Sequence, residues 1–321
     1  MRRALAGIAC WVSLCACAAA SPAQTRVVLV GTGGPELSPQ RQGEATLIET
    51  HGQLLLFDAG RGVLDGLYRA RVRPQQVTRV FLTHLHSDHI EGLPGLWMTP
   101  WFLLGRKTGL EVWGPVGTAA MVNGMRAMFA HDVEHRPNAN ANVEGLDVVV
   151  HEVSAGVVYE RDGVRVSALP VEHADGDPAF AYTIEAGGRR ILLTGDCTYG
   201  GALAQQVGPF DLVVSNVAAG TRSLEQTAWL QPILAKLMRP EQAAQLFART
   251  HPRLAVYSHI VKKGLPGAAG DAEILRRTRA AGYKGPLLMG QDRMEVFLGR
   301  AVRVQRVTAG RTDLDGPDAT F

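Results

Sequence analysis

The run Thr83-His84-Leu85-His86-Ser87-Asp88-His89 puts three imidazoles and a carboxylate within six positions, directly after the β-branched and aromatic stretch Arg79-Val80-Phe81-Leu82. The stretch reads as a buried strand, so the polar residues fall on its exit. In an extended exit, residues two apart point the same way, and His84 and His86 therefore face one ion together. Asp88 and His89 come where the chain turns into a helix and face a second ion. A polar turn in which histidines happen to cluster is the plain alternative. It suits a lone His better than three His and an Asp bounded by a strand and Gly92.

Other apolar strands in the chain also end in a polar residue. Leu54–Phe57 ends in Asp58-Ala59-Gly60, where Asp58 reads either as a support for metal ligands or as the cap of a helix over Arg61–Arg71. Val164–Leu169 runs into Pro170-Val171-Glu172-His173. A hairpin, Ala179–Glu185 and Arg189–Leu193 around Gly187-Gly188, leads to Thr194-Gly195-Asp196, and Leu254–Ser258 leads to His259. Further strands are expected near Arg26–Val30, Ala45–Thr50, Leu110–Trp113, Leu146–Val153, Val157–Glu160, Asp211–Val214, Met294–Leu298 and Val302–Val307. Helices are expected from Ile90, over Val116–Ala130 and over Pro240–Arg249. His131 and His135 fall in polar, Asn-rich sequence that reads as a loop or lid. Trp97 and Trp101, just behind the metal run, read as core or as the wall of an apolar substrate pocket at its mouth. Arg106 and Lys107 read as an attractor of an anionic substrate or as a solvated turn.

At 321 residues and 46% hydrophobic content, the chain can bury one large core, and residues 24–321 read as a single domain. A net charge of +3 argues against a dedicated nucleic-acid groove. Met1-Arg2-Arg3 followed by apolar Ala4–Ala20 has the layout of a secretory signal peptide over residues 1–23, which predicts a periplasmic or secreted product. Leu14-Cys15-Ala16-Cys17 also resembles a lipoprotein box, with Cys17 as the residue that would carry a lipid anchor. Three of the four cysteines lie in that leader, so Cys197 has no partner in its own chain and reads as a small buried hydrophobe.

His84, His86, Asp88 and His89 together resemble the His-x-His-x-Asp-His signature of the metallo-β-lactamase superfamily of binuclear hydrolases. The resemblance implies an α/β fold, the four-layer αβ/βα sandwich of two mixed β-sheets flanked by helices. It implies a first metal on His84, His86 and His173, a second on Asp88, His89 and His259, and Asp196 bridging, with Asp58 supporting the ligands from behind. Imidazoles and carboxylates without a thiolate suit two divalent ions, zinc first, and also iron or manganese. Two cations sharing a water lower its pKa towards roughly 7, which supplies a nucleophile without a protein side chain. Asp88 is then both ligand and the group that orients that water or accepts its proton.

Val30-Gly31-Thr32-Gly33-Gly34, Phe57-Asp58-Ala59-Gly60 and Gly92-Leu93-Pro94 look most like the branch containing ribonuclease Z and related phosphodiesterases and arylsulfatases. Two departures bear on the substrate. Ser215-Asn216 stands where that branch has a His-Glu pair, a proton donor, and only a short hairpin separates His173 from Asp196, where the branch inserts a tRNA-gripping arm. With the small net charge and the leader, these predict an exported hydrolase of small phosphodiester or sulfate esters and argue against tRNA. A lactonase or β-lactamase is the first alternative, and a metal-binding protein without catalysis the second. Oligomeric state, a homodimer included, is left open.

Overall fold

The computed structural model describes residues 25–136 and 143–306. The expected leader over 1–23, the lipid-anchor position Cys17 and the chain after 306 lie outside them. The chain first lays down β1 (Thr25–Gly31), β2 (Ala45–Thr50), β3 (Gln53–Phe57), β4 (Arg79–Phe81), β5 (Leu110–Gly114) and β6 (Val148–Glu152). It continues with β7 (Gly156–Arg161), β8 (Val164–Val171), β9 (Ala179–Ala186), β10 (Arg189–Leu193), β11 (Leu212–Gly220), β12 (Leu254–Lys263) and β13 (Leu287–Met289). β14 (Met294–Leu298) and β15 (Val302–Arg306) then return to the first sheet. The sheet orders are β15-β14-β1-β2-β3-β4-β5-β6 and β13-β12-β11-β10-β9-β8-β7.

Both sheets are mixed, and away from the edge strands β6, β7 and β15 they are covered on both faces, which explains why the inner strands read as near-continuous apolar runs. Along β1, Val27 and Leu29 enter the core between the sheets while Val28 and Val30 face the helix layer. The same alternation sends Phe57 and Phe81 inward and Leu56 and Val80 outward. Phe57 stacks on Phe81 with ring centroids 4.9 Å apart, and Phe81 on Trp113 at 4.7 Å, so the strands that lead to the metal run are locked edge to edge. Helices Val63–Arg69, Leu93–Phe102 and Thr118–His135 cover the first sheet, and Pro240–Thr250 and Gly267–Ala280 cover the second. The result is two mixed sheets flanked by helices, as expected from the resemblance. Among the described residues, no helix is long and apolar enough to cross a membrane.

Three expectations are corrected here. Trp97 and Trp101, 3% and 5% exposed, belong to the core between the first sheet and its helices. The helix that carries them, Leu93-Pro-Gly-Leu-Trp-Met-Thr-Pro-Trp-Phe102, is apolar on nearly every side and is therefore buried. The Trp97 indole N–H donates to Leu146 O at 3.0 Å, so the ring is satisfied inside the protein, and core is the reading that holds. Arg106 is buried too: its guanidinium donates to Leu96 O, which Pro100 leaves without a helix partner, and to Trp97 O and Gly145 O, all at 2.6–2.9 Å, with burial pushing its pKa down to about 10. The helix begun near Val116 runs on to His135, and His131 and His135 stack 4.2 Å apart on it rather than forming a loop.

Candidate metal centre

β4, β8 and β10 finish at one edge of the sandwich and hand their next residues to one small volume, which β12 (Leu254–Lys263) reaches from within, at His259. β10, β11 and β12 are parallel, and β8 runs with β10 because both are antiparallel to β9, so all four run towards that edge in the same direction. From the first sheet, β4 delivers His84, His86, Asp88 and His89. All seven expected ligand residues meet there: one group of His84, His86 and His173, one of Asp88, His89 and His259, and a third of His84, His89 and Asp196, each with candidate ligand atoms within 4.8 Å of one another.

In the first group, His86 Nδ1 lies 3.0 Å from His84 Nε2 and 3.2 Å from His173 Nε2. In the second, Asp88 Oδ2 lies 3.1 Å from His259 Nε2 and 3.8 Å from His89 Nε2. Asp196 Oδ2 stands between the groups, 3.6 Å from His89 Nε2 and 3.8 Å from His173 Nε2. Only His86 has a partly open side chain, 31% exposed, and it marks the side by which the centre meets solvent.

Hydrogen bonds behind these residues set which ring nitrogen points forward. Thr83 N–H donates to Asp58 Oδ1 at 2.8 Å, and the Thr83 hydroxyl donates to Asp58 Oδ2 at 2.9 Å. With its hydrogen spent, Thr83 Oγ1 accepts from His84 Nδ1 at 3.0 Å, which leaves His84 Nε2 as a lone pair. His89 Nδ1 donates to Asp58 Oδ2 at 2.8 Å, and His173 Nδ1 donates to Lys236 O at 2.9 Å. Three rings are thus oriented with Nε2 forward, and Asp58 governs two of them. This is the arrangement by which outer partners fix ligand tautomers. Asp58 caps no helix: the helix Val63–Arg69 starts from Gly62 without a side-chain cap.

The residues fit a divalent pair. His89 Nε2, Asp196 Oδ1 and His259 Nδ1 are buried polar atoms with no hydrogen-bond partner, and they converge on this volume. His259 Nδ1 and Asp196 Oδ1 stand 3.0 Å apart without hydrogen-bond geometry. Such orphaned atoms cost free energy in a buried site unless a ligand takes them up. Electrostatics agree. Burial and the surrounding imidazoles push His84 well down, towards a neutral ring. Burial opposes charge on His89 as well, but Asp58 and Asp196 outweigh it and hold that ring well up. Burial likewise works against Asp88, yet the His259 hydrogen bond and the His89 charge keep its carboxyl well below the usual range.

Two neighbours were missed by sequence reasoning. Glu44 accepts from Ser258 Oγ at 2.5 Å and from His259 N–H at 2.9 Å, and nothing in the sequence around it signals that reach. Lys236 supplies the carbonyl behind His173, while its ammonium lies 2.8 Å from Asp175, itself 3.9 Å from His86 Nε2. Asn216 is fully engaged: its amide donates to Gly195 O at 2.7 Å and its oxygen accepts from Met238 N at 2.8 Å. Cys197 is buried beside it, and burial pushes its thiol well up.

The Beta-lactamase superfamily domain profile matches residues 54–260. Ribonuclease Z of Mycobacterium marinum is 31% identical over 286 residues, covering 84% of this chain and 98% of that protein. Among solved structures, the metallo-β-lactamase fold protein YhfI of Bacillus subtilis aligns with a TM-score of 0.65 at 15% identity, over 86% of this chain and all of that one. Human tRNase Z, short form, aligns with a TM-score of 0.63 at 21% identity, over 84% of this chain and 98% of that one. The ribonuclease match overturns the expectation of a small-molecule ester partner with tRNA set aside. That expectation leaned on a small net charge, the leader, Ser215-Asn216 in place of a His-Glu pair and a short His173–Asp196 connection, and none of these prevents alignment over nearly the whole length of a ribonuclease Z.

Proposed function

The chain belongs to the metallo-β-lactamase superfamily of hydrolases, in its ribonuclease Z-like, phosphodiester-cleaving branch, and from that premise we propose that it cleaves RNA, with tRNA precursors as the substrate class. The observation that carries this is the 31% identity across 98% of a ribonuclease Z. In this reading His84, His86 and His173 would hold one divalent cation and Asp88, His89 and His259 another, with Asp196 between the two groups. Zinc is the first candidate, since nitrogen and oxygen donors suit it, as they do iron and manganese. When bound, two such ions bring the pKa of water towards neutrality and offset the charge that builds on phosphate.

The protein's own groups do the rest. Asp58 keeps His84 and His89 presenting Nε2. Asp88 orients the attacking water; held so far below the carboxylate range, its Oδ2 accepts a hydrogen bond better than it keeps a proton. Lys236 is paired at the rim with the exposed Asp175, which lies 3.9 Å from His86 Nε2, and it can exchange that carboxylate for a substrate phosphate, because a rim ion pair is weak. Ser215-Asn216 donates no proton to the leaving oxygen, since Asn216 is spent on the backbone. The leader over residues 1–23 stays part of the proposal as an export signal. The test is a metal-loaded chain beginning at Gln24, given a tRNA precursor with a 3′ trailer and a nitrophenyl phosphodiester, with and without chelator. Chelator-sensitive release of the trailer is expected. Cleavage of neither substrate would defeat the reading.

A further inference from the structure

Between Ser215 and Val217 of β11 the partner strand β12 advances from Tyr257 to Ile260, so β12 carries one extra residue at Ser258-His259. This is a β-bulge within β12, the device by which a strand re-aims a side chain. His259 within it has φ +41, a left-handed conformation that a non-glycine residue keeps only where its surroundings over-determine it. Such a bulge leaves polar groups without a ladder partner, and here they meet one carboxylate. Glu44 Oε2 accepts both the Ser258 hydroxyl at 2.5 Å and the His259 N–H at 2.9 Å, while Oε1 accepts the Thr46 hydroxyl at 3.2 Å.

Glu44 belongs to the other sheet. It directly precedes β2, and its carbonyl accepts from Gly60 N at 2.9 Å beside the Asp58 turn. One buried side chain therefore spans from the first sheet to the bulge of the second, and its grip is on the half of the centre that holds Asp88, His89 and His259. Asp58 has no such reach: its bonds go to Thr83 and His89 in its own sheet's loops.

We propose that Glu44 is a positioning residue for the second metal, pinning the Ser258-His259 bulge so that the His259 ring stays at its ligand position. The proposal rests on the two-metal reading above. It is a requirement for an acceptor oxygen, not for a charge, because both clamped groups are donors. Glutamine meets that requirement and alanine does not.

The test is a cobalt titration of the metal-free full chain, following the two binding steps by absorption and metal content, with His259→Ala used to identify the step that belongs to the second half. Glu44→Ala is expected to weaken that step about 10–100-fold, the usual loss when an outer partner of a ligand is removed, and to leave the other step unchanged. Glu44→Gln is expected to restore it. If Glu44→Ala does not fold, Glu44→Asp, one methylene too short to span the sheets, carries the same expectation. Both steps unchanged, both weakened alike, or no rescue by glutamine would overturn the proposal. A wild-type chain that binds fewer than two ions would instead defeat the two-metal reading itself.

Discussion

Asp58→Asn separates orientation of the ligands from simple structural support. The position has φ +59, which Asn tolerates as well as Asp, so the backbone is not the variable. Thr83 N–H needs an acceptor, and the amide oxygen takes the place of Oδ1 to provide it. The NH₂ then occupies the place of Oδ2 and faces the Thr83 hydroxyl and His89 Nδ1, both of which now donate to that oxygen. Each must become an acceptor. A neutral His89, the form a metal ligand takes, then carries its proton on Nε2, the nitrogen that faces Asp88 and Asp196. Thr83 turns its hydrogen to His84 Nδ1, so His84 also carries its proton on Nε2. One substitution thus puts a proton on a metal-facing nitrogen in each half. Replacing charge-assisted hydrogen bonds by neutral ones costs roughly 1–2 kcal/mol in the metal-free protein. A loss of about 10–100-fold in affinity for each ion adds roughly 3–5 kcal/mol when the ions are present. Urea unfolding with and without chelator, together with metal titration, reads both quantities. An equal loss in the two conditions would refute the tautomer argument and leave Asp58 a structural residue only.

Asp196→Ala is expected to lose one ion per chain and nearly all turnover, and metal analysis that still finds two ions with full activity would remove Asp196 from the bridging role. Trp97→Ala is expected to cost about 3–5 kcal/mol in urea unfolding through the cavity it leaves, with KM for the RNA substrate unchanged, since the ring is core. Arg277 is buried and donates to Glu241 at 2.8 Å and to Glu225 at 2.6 Å, joining the outer helices of the second sheet to the turn after β11; Arg277→Met is expected to cost about 3 kcal/mol. Burial raises the Glu241 carboxyl, but the Arg277 bonds outweigh it and hold the group below its usual value. A depressed carboxyl contributes stability above its unfolded pKa and loses it as pH falls through the folded one, so below about pH 4.3 the variant should lose less further stability than the wild type.

Much of the fold was legible because strands covered on both faces leave long apolar runs, and a polar residue at the end of such a run stands out. His84, His173, Asp196 and His259 share that signal, which lets the sequence alone group residues up to 175 positions apart. Where the signal is symmetric, the sequence leaves two readings open, core and pocket wall. Trp97 and Trp101 sit on a helix apolar all round, and an all-apolar helix does not reveal which side meets a pocket. The helix Thr118–His135 outruns Ala130 because His131, Asp132 and Glu134 are polar but still compatible with a helix whose outer face is solvated. The helix Gly267–Ala280 was not anticipated: its Gly-Ala-Ala-Gly start reads as a turn, and it is held by tertiary contacts such as buried Ile274. Glu44 was invisible for a different reason. Its partners lie 214 and 215 residues away, across the sandwich, and no local pattern encodes such a contact.

The central claim is that seven side chains from four strands and the turn after β4 form one two-ion centre. Crystals of the zinc-loaded chain, with anomalous scattering collected on either side of the zinc edge, test it most directly. The account predicts two peaks per chain, one among His84, His86 and His173 and one among Asp88, His89 and His259, with Asp196 reaching both. A single peak, or peaks away from these residues, would contradict it.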